Sequence, residues 1–220
     1  MAIIRHKTEF ARLDGTRNAA WRGVAPAIAS DCMNRSGAMS AKMKPLDAAM
    51  AIAGQARTVS VMAGDNSAIH ALLREKFAGE VLVIAAGGIG DVAVWGGLLT
   101  EAARAAGLAG VVVDGAVRDA GEIRRSGFPC YAVAITPRGP HKGFGGEIDG
   151  LISCAGVPVR PGDLILGDGD GVVVVPLERE VDILIAARKR LAAEDRMRER
   201  LHDDVSLADQ LGVGPAEDAG

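Results

Sequence analysis

The sequence has few aromatic residues and only three cysteines. Aromatic side chains make up 3% of the 220 residues, so the core must be built from Val, Ile, Leu and Ala. Such a core suits an α/β protein in which strands and small-residue helices pack closely. The cysteines are odd in number and widely spaced, which argues against a zinc pattern and a disulfide framework. We expect reduced core thiols in a cytoplasmic protein.

Long apolar runs and an excess of positive charge are also missing. The longest apolar runs fall short of the roughly 18 residues that a membrane span needs, and residues 1–10 lack the apolar region of a signal peptide. The net charge of −3 and the pI near 5.8 are unlike the basic face of a nucleic-acid-binding protein. We therefore expect neither a membrane nor a nucleic acid as a partner.

The sequence does contain strand and helix patterns that alternate, followed by a strand-rich segment. An alternating pattern predicts a strand at 55–62. Apolar runs predict buried strands at 81–86 and 111–114, and a further strand is predicted at 130–135. Helical patterns cover residues 17–40, with a break near 34–37. Further helical patterns cover 65–76, 95–106, 119–126 and about 178–202. Residues 136–176 predict short strands, of which 161–176 form a hairpin with a tight Asp-Gly turn. Because neither part is large enough to bury its own core, we expect one domain over residues 1–220, with a frayed tail from Gly212.

One stretch imitates a dinucleotide-binding unit. A strand precedes Gly88-x-Gly90-x-x-Ala93, and a helix and a strand ending at Asp114 follow, which is the order of the Rossmann fingerprint. The same turn could indicate a methyltransferase. The unit begins late in the chain, however, and the alternation of strand and helix stops after it. The other interpretation is that these glycines let a helix pack closely on a sheet.

The adjacent pair Arg118-Asp119 follows a buried strand. Ligands of α/β proteins bind at the carboxyl ends of such strands. A guanidinium holds a carboxylate through two hydrogen bonds, and a carboxylate oxygen suits Mg²⁺ or Mn²⁺. The pair could therefore hold a carboxylate-bearing substrate beside a hydrated metal. Taken alone, a surface ion pair or an acid at a helix start explains the pair better.

A helix start at 95–99 offers a second candidate site. Free N–H groups at a helix N-terminus bind anions, and glycines let a carboxylate or enolate oxygen approach the main chain. Close packing is an equally good explanation. His70, in an apolar helix, is more often a core histidine than a ligand, whereas His141 lies in a loop that could reach a site.

Several kinds of catalytic machinery are absent from the sequence. No lysine lies in an apolar strand, as a Schiff-base aldolase requires. Neither a nucleophile elbow nor a nucleophilic cysteine motif is present. If the protein is an enzyme, a metal must therefore act as the Lewis acid that stabilises a developing enolate.

Motifs from about Ser30 to Glu194 resemble the RraA-like family. They are Asp31…Arg35-x-Gly37 with Lys44-Pro45-Leu46, Gly54-x-Ala56-x-Thr58-Val59, Gly64-Asp65-Asn66, Trp95-Gly96-Gly97-Leu98-Leu99, Gly110-Val111-Val112-Val113-Asp114-Gly115-x-x-Arg118-Asp119, and Pro161-Gly162-Asp163 through Asp168-x-Asp170-Gly171-Val172. The family includes 4-hydroxy-4-methyl-2-oxoglutarate / 4-carboxy-4-hydroxy-2-oxoadipate aldolases and regulators of ribonuclease E activity.

The resemblance implies an α/β fold, a single-domain β/β/α swivelling-type sandwich, assembled as trimers or hexamers with sites at subunit interfaces. It implies Mg²⁺ or Mn²⁺ held through Asp119 and waters, and a substrate carboxylate held by Arg118 and the backbone amides of Gly96, Gly97, Leu98 and Leu99. The implied reaction is retro-aldol cleavage of a 4-hydroxy-2-oxo acid to pyruvate, with oxaloacetate decarboxylation as a side activity. Glu194 matches a catalytic glutamate that reaches in from a neighbouring subunit. The alternative is a non-catalytic regulator that binds a protein partner such as ribonuclease E.

One position departs from the family pattern. The aldolases place an aspartate at the position of Gly97, where it orients metal-bound water. Loss of such a supporting group commonly lowers affinity or activity about 10- to 100-fold. The departure therefore implies weak aldolase activity or another substrate, unless Asp91 compensates.

Overall fold

A mixed β-sheet forms the centre of the computed structural model, which describes residues 2–203 and 205–217. Its strands and a separate two-stranded hairpin are, in chain order, β1 (Ile3–Arg5), β2 (Lys44–Pro45), β3 (Ile52–Val61), β4 (Val81–Trp95), β5 (Gly110–Val117), β6 (Cys130–Ile135), β7 (Gly146–Ile148), β8 (Ile152–Cys154), β9 (Val157–Val159), β10 (Leu164–Gly167) and β11 (Val172–Val175). The helices are α1 (Gly15–Arg22), α2 (Pro26–Cys32), α3 (Ser67–Leu72), α4 (Gly97–Ala106), α5 (Ala120–Ser126), α6 (Glu180–His202) and α7 (Leu207–Leu211). The α/β class predicted from the sequence is confirmed.

Four neighbouring strands, β3 to β6, run parallel to one another. Val83 of β4 pairs with Thr58 of β3 on one side and with Val112 of β5 on the other. Every residue of β5 is buried, as expected for an apolar strand that is covered on both faces of the sheet. Because the four strands are parallel, their carboxyl ends lie at the same edge of the sheet.

Both faces of the parallel strands are covered, each by a different layer. On one face, Leu72 of α3, Leu99 of α4 and Ile123 of α5 share a buried cluster with the sheet. On the other face, strands β8 to β11 cover the sheet through residues such as Ile152 and Ile165. Each fully buried Leu or Ile contributes roughly 1.5–3 kcal/mol relative to an exposed one, so these layers fix the position of the sheet edge.

A third cluster lies on the outer side of the β10–β11 hairpin. Trp21 of α1, Ile28 of α2 and Ile183 of α6 pack there. The buried carboxylate of Glu180, at the start of α6, accepts a hydrogen bond from Trp21 Nε1 at 2.6 Å and pairs with Arg17 at 2.7 Å. Helix α6 is thereby fixed to the side of the molecule that carries α1 and α2.

The Gly-rich stretch after residue 86 corrects one prediction. β4 continues from Val81 to Trp95, with register shifts between Ala85 and Ile89 and again before Trp95. Gly88-x-Gly90 therefore lies within a strand instead of forming a turn that opens a helix. The dinucleotide interpretation is wrong, because a pyrophosphate binds at such a turn and the helix N-terminus behind it.

Other boundaries also differ from the prediction. The predicted helical region 17–40 is two short helices, α1 and α2, separated by the break before Pro26, and α3 ends at Leu72 and not at residue 76. The antiparallel β10–β11 hairpin and the long helix α6 are confirmed. Of the predicted tail, residues 213–217 form neither helix nor strand and residues 218–220 lie outside the described part.

Two of the three cysteines lie in the core. Cys130 and Cys154 are buried thiols as predicted, whereas Cys32, on α2, is only half buried. Among the described residues, no helix combines the length and the apolar character that crossing a bilayer requires.

Candidate active site

A cavity of about 180 Å³ opens at the carboxyl edge of the parallel strands. Each of the four strands leads into a segment that contributes to its wall. The lining residues are Asn66 and His70 after β3, Val94 to Gly96, Leu98 and Leu99 at the end of β4 and the start of α4, Arg118 and Asp119 after β5, and Pro140 and Lys142 after β6. The structure thus brings the two candidate sites of the sequence, Arg118-Asp119 and the helix start, into one pocket.

Asp119 has an unusual backbone conformation. Its φ of 57° and ψ of 33° lie in the left-handed region, which non-glycine residues adopt only at a cost. Asp119 occupies the N-cap position of α5 but its side chain does not cap that helix. Instead, Oδ2 accepts a hydrogen bond from the N–H of Gly97 at 3.1 Å. The strained backbone therefore turns the carboxylate towards the start of α4.

The Asp119 side chain is also open to a ligand. It is 42% exposed, and Oδ1 accepts no hydrogen bond from the described residues. A hard carboxylate oxygen of this kind suits Mg²⁺ or Mn²⁺, which retain several waters and use few protein ligands. No group of three or more His, Cys, Asp or Glu side chains that could hold a metal exists in residues 2–203 and 205–217. A metal at Asp119 would therefore have at most two His, Cys, Asp or Glu ligands from the described residues.

Arg118 lies beside this carboxylate. Its Nε is 3.6 Å from Asp119 Oδ2, which is the sole ion pair of Arg118 within the described chain. Two glycines make room for the side chain: a Cβ on Gly96 would lie 3.0 Å from Arg118 Cγ, and a Cβ on Gly139 would lie 2.7 Å from Nη1. Most of the guanidinium fork is free to bind a planar carboxylate.

The start of α4 forms the wall next to this pair. Gly96 is the N-cap, with no side-chain hydrogen bond to the helix, and Gly97 donates its N–H to Asp119. The N–H groups of Leu98 and Leu99 have no acceptor among the described residues. The Leu98 side chain is 80% exposed, whereas Leu99 is buried in the core. This helix start offers two free donors to an anion.

Three polar lining residues, Asn66, His70 and Lys142, were not assigned to the site from the sequence. Asn66 is 4% exposed; its Nδ2 donates to the carbonyl of Val94 at 3.2 Å, and its Oδ1 has no partner in the described residues. His70, expected in the core, lines the pocket instead, and burial together with the charge of Lys142 lowers its pKa. His141, the histidine expected to reach a site, is exposed and does not line the pocket.

The carboxylate of Glu122 occupies the space beside Gly97. A Cβ on Gly97 would lie 2.5 Å from Glu122 Cδ and 2.5 Å from Oε2. An aspartate at this position would therefore displace Glu122, which is one helical turn after Asp119. Asp91, which the sequence offered as a replacement acid, is exposed on β4 and does not line the pocket.

Glu194 is not brought to the pocket within one chain. It lies on α6, where its carboxylate is 3.5 Å from Arg190 Nε and 3.2 Å from Arg198 Nη2. Its predicted role therefore requires a second copy of the chain.

Comparison with known proteins places the chain among related sequences. The family model described as RraA-like, Aldolase/RraA, matches residues 26–174. A protein of Halalkalibacterium halodurans, provisionally named 4-hydroxy-4-methyl-2-oxoglutarate aldolase, is 38% identical over 86% of this chain and 89% of its own length. The 4-hydroxy-4-methyl-2-oxoglutarate aldolase of Thermus thermophilus is 41% identical over 56% of this chain and 75% of its own length.

A solved structure matches the fold. The Streptomyces coelicolor protein RraAS2, described as an unusual member of the RNase ES inhibitor RraA protein family, superposes with a TM-score of 0.77 and is 30% identical. The alignment covers 86% of this chain and 100% of that one.

Proposed function

Because the chain belongs to the RraA-like family, we propose that it is a divalent-metal-dependent lyase that cleaves a 4-hydroxy-2-oxo acid to pyruvate. A compound of the 4-hydroxy-4-methyl-2-oxoglutarate type is the proposed substrate, and oxaloacetate decarboxylation is a proposed side activity. The observation that carries the proposal is the free Arg118 fork beside the open Asp119 carboxylate in one pocket. The names of the bacterial relatives support the same reaction.

Arg118 and the free N–H groups at the start of α4 are the proposed binding groups for the C1 carboxylate. Charge-assisted, bidentate hydrogen bonds orient a substrate as well as hold it. Asp119 is the proposed ligand of Mg²⁺ or Mn²⁺. When bound, the metal supplies Lewis-acid stabilisation of the negative charge that develops on the 2-oxo group.

The proposed reaction is a retro-aldol cleavage. The 4-hydroxyl group loses its proton, the C3–C4 bond breaks, and C4 becomes a carbonyl carbon. The bonding electrons pass to C3 and the 2-oxo group, and C3 then gains a proton to give pyruvate. Glu194 of another copy is the proposed additional catalytic group, which requires a trimer or hexamer with sites between subunits.

Pyruvate release tests the proposal. The full-length protein is incubated with 4-hydroxy-4-methyl-2-oxoglutarate or oxaloacetate, with Mg²⁺, with Mn²⁺, or with excess chelator. We expect pyruvate with either metal and none with chelator. Arg118→Lys should lower kcat/KM because an ammonium lacks the planar fork. Arg188→Lys, a change on the exposed face of α6, is the matched control. Full turnover in chelator would contradict the metal dependence.

A second candidate function is a regulator that binds a ribonuclease of the RNase E type. The description of the Streptomyces coelicolor relative favours it, as do the missing acid at Gly97 and the 80% exposed Leu98 at the pocket rim. Capture of the ribonuclease by the pure protein, together with no turnover of any 2-oxo acid, would establish this function in place of the lyase.

A further inference from the structure

We propose that Thr100 is a positioning residue for the wall of the pocket that binds a carboxylate. Its side chain does not line the pocket but holds the segment 95–97, to which Arg118 and Asp119 are hydrogen-bonded. The inference rests on the proposed function in one respect, since it takes this wall to bind the carboxylate of a 2-oxo acid.

Thr100 lies in α4, where its side chain joins the helix to the residues just before it. Thr100 and Trp95 are each 1% exposed. The Thr100 hydroxyl donates to the carbonyl of Gly96 at 3.1 Å and accepts a hydrogen bond from Trp95 Nε1 at 2.8 Å. The backbone N–H of Thr100 donates to the same carbonyl at 3.0 Å. One buried residue therefore binds both the main chain of Gly96 and the side chain of Trp95.

Gly96 has no side chain with which to fix the helix start. Most N-cap residues do so with a side-chain oxygen that accepts a hydrogen bond from the second or third N–H group of the helix. Here a Cβ at position 96 would lie 2.8 Å from Asp119 Oδ2 and 3.0 Å from Arg118 Cγ, so a side chain would fill the space that these two residues use. Glycine leaves the N–H groups free for a ligand but adds backbone freedom. The Thr100 hydroxyl restricts that freedom from outside the pocket.

The segment 95–97 is also the point where the other parts of the site are attached. The carbonyl of Trp95 accepts a hydrogen bond from the Arg118 N–H at 3.0 Å. The N–H of Gly97 donates to Asp119 Oδ2 at 3.1 Å, and the two free N–H groups of α4 follow directly. A shift of this segment would therefore displace the guanidinium, the carboxylate and the free donors relative to one another. A misplacement of about 1 Å can reduce a rate about 100-fold.

Thr100→Val replaces the hydroxyl by a methyl group of similar size. The Trp95 indole N–H then loses its acceptor in a buried position, and the Gly96 carbonyl loses one of its two donors. A buried donor without an acceptor is costly. We therefore expect the segment 95–97 to move or open in this variant.

Amide hydrogen exchange, followed by NMR, measures this opening without any ligand. The N–H groups of Gly97 and Arg118 report on the segment, because each of their hydrogen bonds has one end in it. In Thr100→Val both should exchange at least about 10-fold faster than in wild type, whereas N–H groups in the middle of β5 should change less. Thr100→Ser, which keeps the hydroxyl, should exchange like wild type. If Thr100→Val does not fold, Trp95→Phe, which removes the indole donor, should accelerate the same two N–H groups by a smaller factor.

Thr58→Val is the matched control. Thr58 is fully buried in β3 and its hydroxyl donates to the carbonyl of Gly150 at 2.6 Å, so this variant also loses a buried hydroxyl hydrogen bond, but away from the pocket. It should leave the exchange of Gly97 and Arg118 unchanged. Equal acceleration in Thr58→Val and Thr100→Val would indicate a general loss of stability and would overturn the proposal. Wild-type exchange rates in both Thr100→Val and Trp95→Phe would also overturn it.

Pyruvate, the proposed product, tests the link between this segment and carboxylate binding. Its dissociation constant is measured by calorimetry with Mg²⁺ present. We expect binding about 10-fold weaker in Thr100→Val, because a hydrogen bond to a charged group is worth at least this much, and wild-type affinity in Thr100→Ser and Thr58→Val. Wild-type affinity in Thr100→Val would overturn the proposal. Wild-type protein that neither binds nor releases pyruvate would instead count against the lyase function, whereas the exchange rates would still decide whether Thr100 holds the segment.

Discussion

The strained backbone of Asp119 leads to a prediction about stability that does not depend on catalysis. At φ 57°, alanine is disfavoured relative to asparagine, which tolerates the left-handed region, by about 1 kcal/mol. Alanine also loses the hydrogen bond from the Gly97 N–H, worth about 1 kcal/mol, whereas asparagine keeps an acceptor there. We therefore expect Asp119→Ala to be about 2 kcal/mol less stable than Asp119→Asn. The asparagine variant should lie within about 1 kcal/mol of wild type.

Urea unfolding at pH 7 and one fixed protein concentration measures this difference. The urea concentration at the unfolding midpoint should be lower for Asp119→Ala than for Asp119→Asn. The slope of the free energy of unfolding against urea concentration should be the same for both variants. Equal midpoints for Asp119→Ala and Asp119→Asn would refute the reasoning, since neither the backbone strain nor the hydrogen bond would then contribute.

Three further predictions concern other parts of the site. Gly96→Ala places a Cβ 2.8 Å from Asp119 Oδ2 and should lower kcat/KM up to about 100-fold. The control Gly15→Ala, which has open space around it, should keep the wild-type kcat/KM. Similar kcat/KM values for the two variants would contradict the geometry. Asp65→Asn should lower the free energy of unfolding by about 2 kcal/mol in denaturant, because an amide cannot accept all the hydrogen bonds that Asp65 receives. These hydrogen bonds outweigh burial and hold the pKa of Asp65 below 3.8, so the contribution should be present above pH 3.8 and lost as the pH falls through the folded-state pKa. Loss of the contribution already above pH 3.8 would count against this assignment. If Glu194 acts across a subunit interface, mixing inactive Arg118→Ala with inactive Glu194→Gln protein should restore part of the pyruvate release, and no recovery after subunit exchange would argue against this role.

The core of the fold and the centre of the site could be predicted because their signals are local. An apolar run such as 111–114 is long enough to indicate a strand buried on both faces, and Arg118-Asp119 follows it directly. The rule that ligands bind at carboxyl ends of parallel strands applies equally to Asn66, which follows β3 in the same sheet. Applied to every strand, the rule would have indicated Asn66 from the sequence.

The remaining features depend on contacts between distant parts of the chain. β4 continues through the glycines after residue 86 because register shifts against β5 accommodate them, and no local pattern encodes this pairing. The position of Lys142 depends on the buried carboxylate of Asp65, 77 positions earlier in the sequence. The Glu122 carboxylate lies beside Gly97 although the two residues belong to different helices, so no local pattern encodes their contact. From the sequence alone, the candidate replacement acid was Asp91, which lies closer to Gly97 in the chain.

The central claim is that the Asp119 carboxylate supports metal-assisted cleavage in this pocket. The most direct test compares pyruvate release from 4-hydroxy-4-methyl-2-oxoglutarate by wild-type protein and by Asp119→Asn, both at saturating Mg²⁺. Because the asparagine keeps the backbone conformation and the Gly97 hydrogen bond, we expect a loss of at least about 100-fold in rate, with a free energy of unfolding within about 1 kcal/mol of wild type. Equal rates of pyruvate release by active wild-type protein and by the Asp119→Asn variant would contradict the account.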